Sequence, residues 1–161
     1  MKFEHLIEIT SPHNPMIAPL SRIQLWRGLV LRAEATTLFV PHLDSCDILE
    51  RSAETVSRSL RYGDLVILDR VLFIDQHQVC YQVPAQGEIS ASTLTMTIEE
   101  PNDGYLFVRF AYEDESPDTG TDAVYNDYRR SAYRESDIDT VRTIRQLAAE
   151  GRFDAPTALG H

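Results

Sequence analysis

Two adjacent carboxylates, Glu99 and Glu100, are the first residues in this chain whose types suggest acid and base chemistry. Two carboxylates share that work only when both face the same substrate. Neighbouring residues on a strand point to opposite faces, so this pair cannot act together. Glu100 alone, at the mouth of a cavity, would have its pKa raised by burial and be fitted for proton transfer; a solvated strand end is the simpler reading. His5 shares one face of an amino-terminal alternation with Phe3, Ile7 and Ile9. A neutral imidazole in apolar surroundings can accept or deliver a proton near neutral pH, and a hydrogen-bonded core histidine is the plainer alternative. His42, Asp44 and Cys46 have the types of metal ligands, but their spacing matches no zinc pattern and no metal is expected. Without a glycine-rich phosphate loop, a nucleophile elbow or a Cys-His signature, no cofactor is expected either.

Ring faces and hydroxyls form the second group. Trp26, Tyr62, Tyr81, Met96, Phe110, Tyr112, Tyr125 and Tyr128, together with His5, are the expected lining of a ligand cavity. Residues of these types also serve simply to fill a core. Arg58 and Asp69 lie on strands whose faces are mixed, so their direction is open. Arg109 pairs with Glu99 on the outer face unless a bulge turns it inward, where it would bind an anion.

The elements that must position these residues follow from periodicity. Phe3 to Ile9 alternates as a strand and ends at the prolines of Ser11 to Pro19. Ser21 and Gln24 form a capping box, with Leu20 and Leu25 placed as a hydrophobic staple, so a helix begins at Arg22. Ile23, Trp26, Leu29, Val30 and Ala33 are its expected buried stripe, and Gly28 within it points to close packing. A short helix or turn over Thr36 to Val40 stops at Pro41. Six strands follow: Asp47 to Ser52, Thr55 to Tyr62, Leu65 to Ile74, Val79 to Val83, Thr93 to Glu100 and Tyr105 to Tyr112. Their short connections imply antiparallel neighbours. A three-residue loop ending at Gly104 would set Glu100 opposite Leu106, Ile98 opposite Val108, Met96 opposite Phe110 and Leu94 opposite Tyr112. Glu113 to Asp122 reads as an exposed acidic loop. Ala123 to Glu150 reads as a helix of about eight turns, with Gly151 as its cap. Its expected apolar stripe is Val124, Tyr128, Ala132, Ile138, Val141, Ile144, Leu147 and Ala148.

The bulk numbers bound the rest. At 161 residues, 43% of them hydrophobic, the chain is a single domain able to bury roughly two thirds of its unfolded surface. Its 25 acids against 15 bases argue against a nucleic-acid partner, which needs clustered cations. Two cysteines, Cys46 and Cys80, without a secretory signal read as reduced thiols of a cytoplasmic protein. No stretch is apolar and long enough for a membrane span. Exposed sheet edges or helix faces would support a homodimer, but the oligomeric state is not legible.

The order of one strand, two helices, six strands and a long helix resembles the helix-grip fold of the START and birch-pollen-allergen (SRPBCC) superfamily. Phe3-Glu4-His5-Leu6, Gln24-Leu25-Trp26-Arg27-Gly28-Leu29-Val30, Thr97-Ile98-Glu99-Glu100-Pro101 and Leu106-Phe107-Val108-Arg109-Phe110-Ala111-Tyr112 together resemble its AtaL-like family. That resemblance implies an α+β fold over residues 1–151, a curved seven-stranded antiparallel sheet around the long helix. Residues 152–161 are expected to be a loose tail. It also implies a hydrophobic pocket between sheet and helix, and it carries over no catalytic residue. Three functions remain open: binding of a small hydrophobic molecule, a biosynthetic enzyme of polyketide-cyclase type using His5 or Glu100, or an interaction module with a filled cavity.

Overall fold

The computed structural model describes residues 1–116 and 122–154. Strand β1 (Lys2–Thr10) leads through a proline-containing loop to helix α1 (Arg22–Glu34) and a 3₁₀ turn at Thr36–Leu38. Strands β2 (Ser45–Arg51), β3 (Thr55–Tyr62), β4 (Leu65–Ile74), β5 (Gln78–Val83), β6 (Ser92–Asn102) and β7 (Tyr105–Asp114) follow, and helix α2 (Asp122–Ala149) closes the order. All neighbouring strands are antiparallel, in the order β1-β7-β6-β5-β4-β3-β2. The meander leaves β1 and β2 as its two edges.

Local chemistry sets each boundary. Ser21 Oγ accepts from the Gln24 N–H at 3.1 Å, and Gln24 Oε1 accepts from the Ser21 N–H at 2.9 Å, so the capping box starts α1 at Arg22. Gly28 explains how closely the helices approach. A Cβ there would lie 2.6 Å from Ile144 Cγ2, well inside contact distance, so α1 meets α2 at a residue without a side chain. Ile9, Leu25, Leu29, Val71, Val79, Met96, Val108, Phe110 and Ile144 are fully sealed around that contact. Each such large side chain contributes about 1.5–3 kcal/mol by leaving water.

The β6–β7 hairpin keeps the expected register at Ile98–Val108, Met96–Phe110 and Leu94–Tyr112 but differs at its tip. Pairing shifts after Glu99 and resumes at Asn102 opposite Tyr105, leaving a two-residue turn, Asp103-Gly104. A bulge at Glu100-Pro101 absorbs the difference, since Pro101 has no N–H for the ladder. Gly104 takes φ +84°, the left-handed conformation the turn needs.

Three expectations are corrected at the carboxy-terminal end. Strand β7 runs on to Asp114, so the acidic loop starts later than Glu113; residues 117–121 of it lie outside the described residues. Helix α2 is rotated in its first half. Val124, Tyr125 and Tyr128 are 77%, 63% and 73% exposed and Ala132 faces solvent, while Asn126, Asp137 and Thr140 are buried. The inward face there is polar, so a search for an apolar stripe selects the opposite side; only Val141, Ile144 and Leu147 of that stripe are buried. Finally, Phe153 is buried in the core and its carbonyl accepts from Arg27 at 3.0 Å, so the ordered domain extends past residue 151. Residues 155–161 of the expected tail lie outside the described residues.

Candidate functional site

A cavity of about 330 Å³ lies beside the solid core, between the sheet, the end of α1 and the first half of α2. Side chains leave it unfilled. Leu60, Ile67, Val83 and Leu94 give apolar walls, and Arg32, Arg58, Asp69, Tyr62, Tyr81, Tyr112 and Tyr133 give polar ones. A second hollow of about 520 Å³ adjoins it and shares Val83, Ser92, Thr93, Glu113 and Asp114.

Arg58 and Asp69 both face inward, because alternation along β3 and β4 puts Val56, Arg58 and Leu60 on the inner face and sets Arg58 directly opposite Asp69. Arg58 Nε and Nη2 donate to the two Asp69 oxygens at 2.9 and 2.6 Å, and Nη1 donates to Ala33 O and Thr36 Oγ1. Burial works against the guanidinium charge, but the hydrogen bonds and charge of Asp69 raise its pKa above the usual arginine value. This pair is a fixed wall of the site. Above it lies the Tyr81 ring, with the Arg32 and Arg58 guanidinium carbons 5.0 and 5.1 Å from its centroid.

Tyr112 forms the opposite wall. Its ring stacks on Tyr133 of α2 at 3.9 Å and 8°, and its hydroxyl donates to Asp137 Oδ1. Burial raises the Tyr112 pKa, with the Asp137 carboxylate adding to the effect, so the phenol stays protonated. Asp137 is itself pushed up to about 7 by burial, an effect only partly offset by the Tyr112 hydrogen bond and the Arg32 charge. Asp137 Oδ2 and His5 Nδ1 are 3.5 Å apart, and neither has a hydrogen-bond partner among the described residues. The distance would suit an ion pair, yet burial, helped by Arg134, lowers the His5 pKa. Desolvation dominates on both sides, so His5 and Asp137 form a largely neutral couple at the edge of one titration. His5, Asp137 and Tyr112 thus make a line of titratable groups that ends at the cavity.

The expected lining residues divide sharply by position. Tyr62, Tyr81 and Tyr112 line the cavity, and burial raises the Tyr62 pKa against the opposing Arg32 and Arg58 charges. His5 stands behind Tyr112, one step removed through Asp137. Met96 and Phe110 are 0% exposed inside the packed core, where Val108 and Ile9 leave no space for a ligand. Trp26 packs edge-on against Phe73 at 6.5 Å and borders a separate groove with Val30 and Glu34. Tyr125 and Tyr128 project to solvent because of the rotation of α2. Glu100 is exposed: its pKa is lowered rather than raised, by the Gly104 N–H at 3.0 Å and by Arg22 at 3.1 Å. That carboxylate caps a turn. Arg109 faces outward, donating to Glu99 at 2.5 and 3.2 Å. Asp44 also serves a turn, accepting from the Gly63 N–H, and no group of three potential metal ligands converges among the described residues.

Arg32, Tyr133 and Asp137 belong to the site but not to the sequence-derived set. A signal for them exists in the spacing: Asn126, Tyr133, Asp137 and Thr140 recur at three, four and seven positions, a polar stripe on a helix otherwise read for apolar residues. Arg32 falls on the buried face of α1, next to Ala33 and one turn after Leu29.

The architecture has known counterparts. The structure resembles the TTHA0849 protein of Thermus thermophilus with 12% identity and a TM-score of 0.64, covering 92% of this chain and 99% of that one. It resembles the Zhui aromatase/cyclase of a Streptomyces species, strain R1128, with 11% identity and a TM-score of 0.60, covering 100% and 99%. It also resembles Ara h 8.0201 with 16% identity and a TM-score of 0.55, covering 93% and 99%. At such identities the likeness establishes the fold, a helix-grip sheet and helix. No curated protein matches the chain closely enough to count as a relative. The family described as acetylaranotin biosynthesis cluster protein L matches residues 7–151, and the chain belongs to that family, called AtaL.

Proposed function

We propose that this protein binds a small hydrophobic molecule in the cavity between its sheet and its long helix. The observation that carries this reading is the unfilled volume of about 330 Å³, bounded by Leu60, Ile67, Val83 and Leu94 and by Tyr62, Tyr81 and Tyr112. Apolar walls with a few convergent polar groups, at the lower end of ordinary ligand-site volumes, suit a compact molecule of few rings. A bulky residue at Val83 tests it. Binding of two- and three-ring aromatic compounds, followed by protein-detected NMR, is expected to fall at least about tenfold in Val83→Trp with the fold retained. Equal binding by the variant, or none by the parent, would refute the reading.

A second reading, catalysis of polyketide-cyclase type, draws on one further observation: the line from His5 through Asp137 to Tyr112. A carboxyl that titrates near neutrality can take up or return a proton during ring closure. The similarity in fold to an aromatase/cyclase is compatible with this reading. Under it, Asp137→Asn retains ligand affinity and abolishes turnover; under simple binding, no compound that binds is converted at all.

A further inference from the structure

The charges around the cavity are nearly all accounted for, and the exception is informative. Arg58 is matched by both Asp69 oxygens. Arg129 and the amino-terminal ammonium both contact Asp114. Glu113 meets Lys2 at 3.6 Å. Arg32, only 9% exposed, has no carboxylate within ion-pair distance among the described residues. Among the described residues its side chain makes a single hydrogen bond, from Nε to Thr140 Oγ1 at 3.3 Å, and neither terminal nitrogen has a partner. Asp137 feels the Arg32 charge, yet burial holds the pKa of that carboxyl up at about 7.

A second, independent feature lies beside it. The Tyr81 hydroxyl is buried without a hydrogen-bond partner among the described residues, on a residue only 5% exposed whose ring Arg32 overlies. The Arg32 guanidinium, with no counter-charge among the described residues, and the buried, unmatched Tyr81 hydroxyl lie on one cavity wall, and the hydroxyl leaves a desolvation cost standing. An anionic oxygen placed between them would pair with the one and accept from the other.

We propose, building on the binding function above, that the ligand is an acidic amphipath: its apolar rings lie along Leu60, Ile67, Val83 and Leu94, and one anionic oxygen group pairs with Arg32 and accepts from Tyr81. The chain as a whole carries a formal charge of −10, which repels anions at long range. Preference for an acid must therefore come from this local pair. It is a short-range interaction and keeps its strength in salt better than a surface contact would.

The test compares 2-naphthoic acid with the neutral, similarly shaped 2-naphthamide by calorimetric titration of the full chain. The acid is expected to bind about tenfold or more tightly to the parent protein, and Arg32→Met is expected to bring the ratio of acid to amide affinity to about one. Equal affinity of the parent for acid and amide, or a preference that survives Arg32→Met, overturns the acid inference and leaves the cavity reading intact. No binding of either compound overturns both. Should Arg32→Met fail to fold by circular dichroism, Tyr81→Phe decides: a selective loss of acid affinity supports the proposal, and an equal change for both compounds overturns it.

Discussion

Replacing Asp137 by asparagine should make the protein more stable at neutral and alkaline pH, against the usual result for a buried polar residue. An asparagine keeps an acceptor for the Tyr112 hydroxyl and offers an N–H₂ toward the vacant His5 Nδ1, without a charge to desolvate. The magnitude follows from the shift of Asp137 from 3.8 to about 7, roughly three units at about 1.4 kcal/mol each. The raised value means that the folded state binds more protons than the unfolded state between those limits. Stability is therefore intact below about pH 4 and declines as pH rises through 7, by at most about 4 kcal/mol. Asp137→Asn removes that decline. Urea unfolding followed by the fluorescence of the sole tryptophan, buried Trp26, should show near-equal stabilities at about pH 4.5 and a variant more stable by about 2–4 kcal/mol at about pH 8. A difference that does not grow with pH, or a variant weaker at pH 8, would mean that ionised Asp137 is a productive partner of Arg32. The acid-binding proposal would then lose its unmatched charge.

Two further outcomes follow from packing and charge. Gly28→Ala should cost about 1–3 kcal/mol in chemical denaturation, because the new methyl meets Ile144 at 2.6 Å, and Ile144→Ala, which removes both clashing Cγ atoms, should cost less in that background than in the parent. For Asp114, burial alone would raise the pKa, but Arg129, the Ser116 N–H and the amino-terminal ammonium overcome it and hold the value at about 2. A depressed carboxylate contributes stability above 3.8 that is lost as pH falls toward 2, so Asp114→Asn should cost roughly 2 kcal/mol at pH 7 and less in acid, read as earlier hydrogen exchange in the first turns of α2.

Most of the architecture was legible because it rests on local rules. Alternation marked the strands, Ser21 and Gln24 marked the start of α1, and Gly28 marked the helix contact. The β6–β7 register could be derived from hydrophobic pairing alone, since a one-residue slip would have buried Arg109. The tip could not, because a bulge at Pro101 changes the loop without changing the pairs beyond it. The site was less legible for a single reason: its walls break the rule that inward means apolar. Arg32, Arg58, Asp69 and Asp137 occupy inner positions of their elements, and a hydrophobicity search passes over such residues by construction. The same search promoted Met96 and Phe110, which fill the core, and Tyr125 and Tyr128, which reach solvent.

The pairing of β1 with β7 also sets a clock for folding. Lys2 lies opposite Glu113, so the first strand synthesised must wait for the last before it has a partner on the sheet. Strands β2 to β7 can form through neighbouring hairpins, whereas β1 joins by a long-range contact that is slow for entropic reasons. Until then the β7 edge is bare, and the wall carrying Phe3 and His5 is missing. The intermediate to look for is a six-stranded meander with an open edge, prone to pair with another chain.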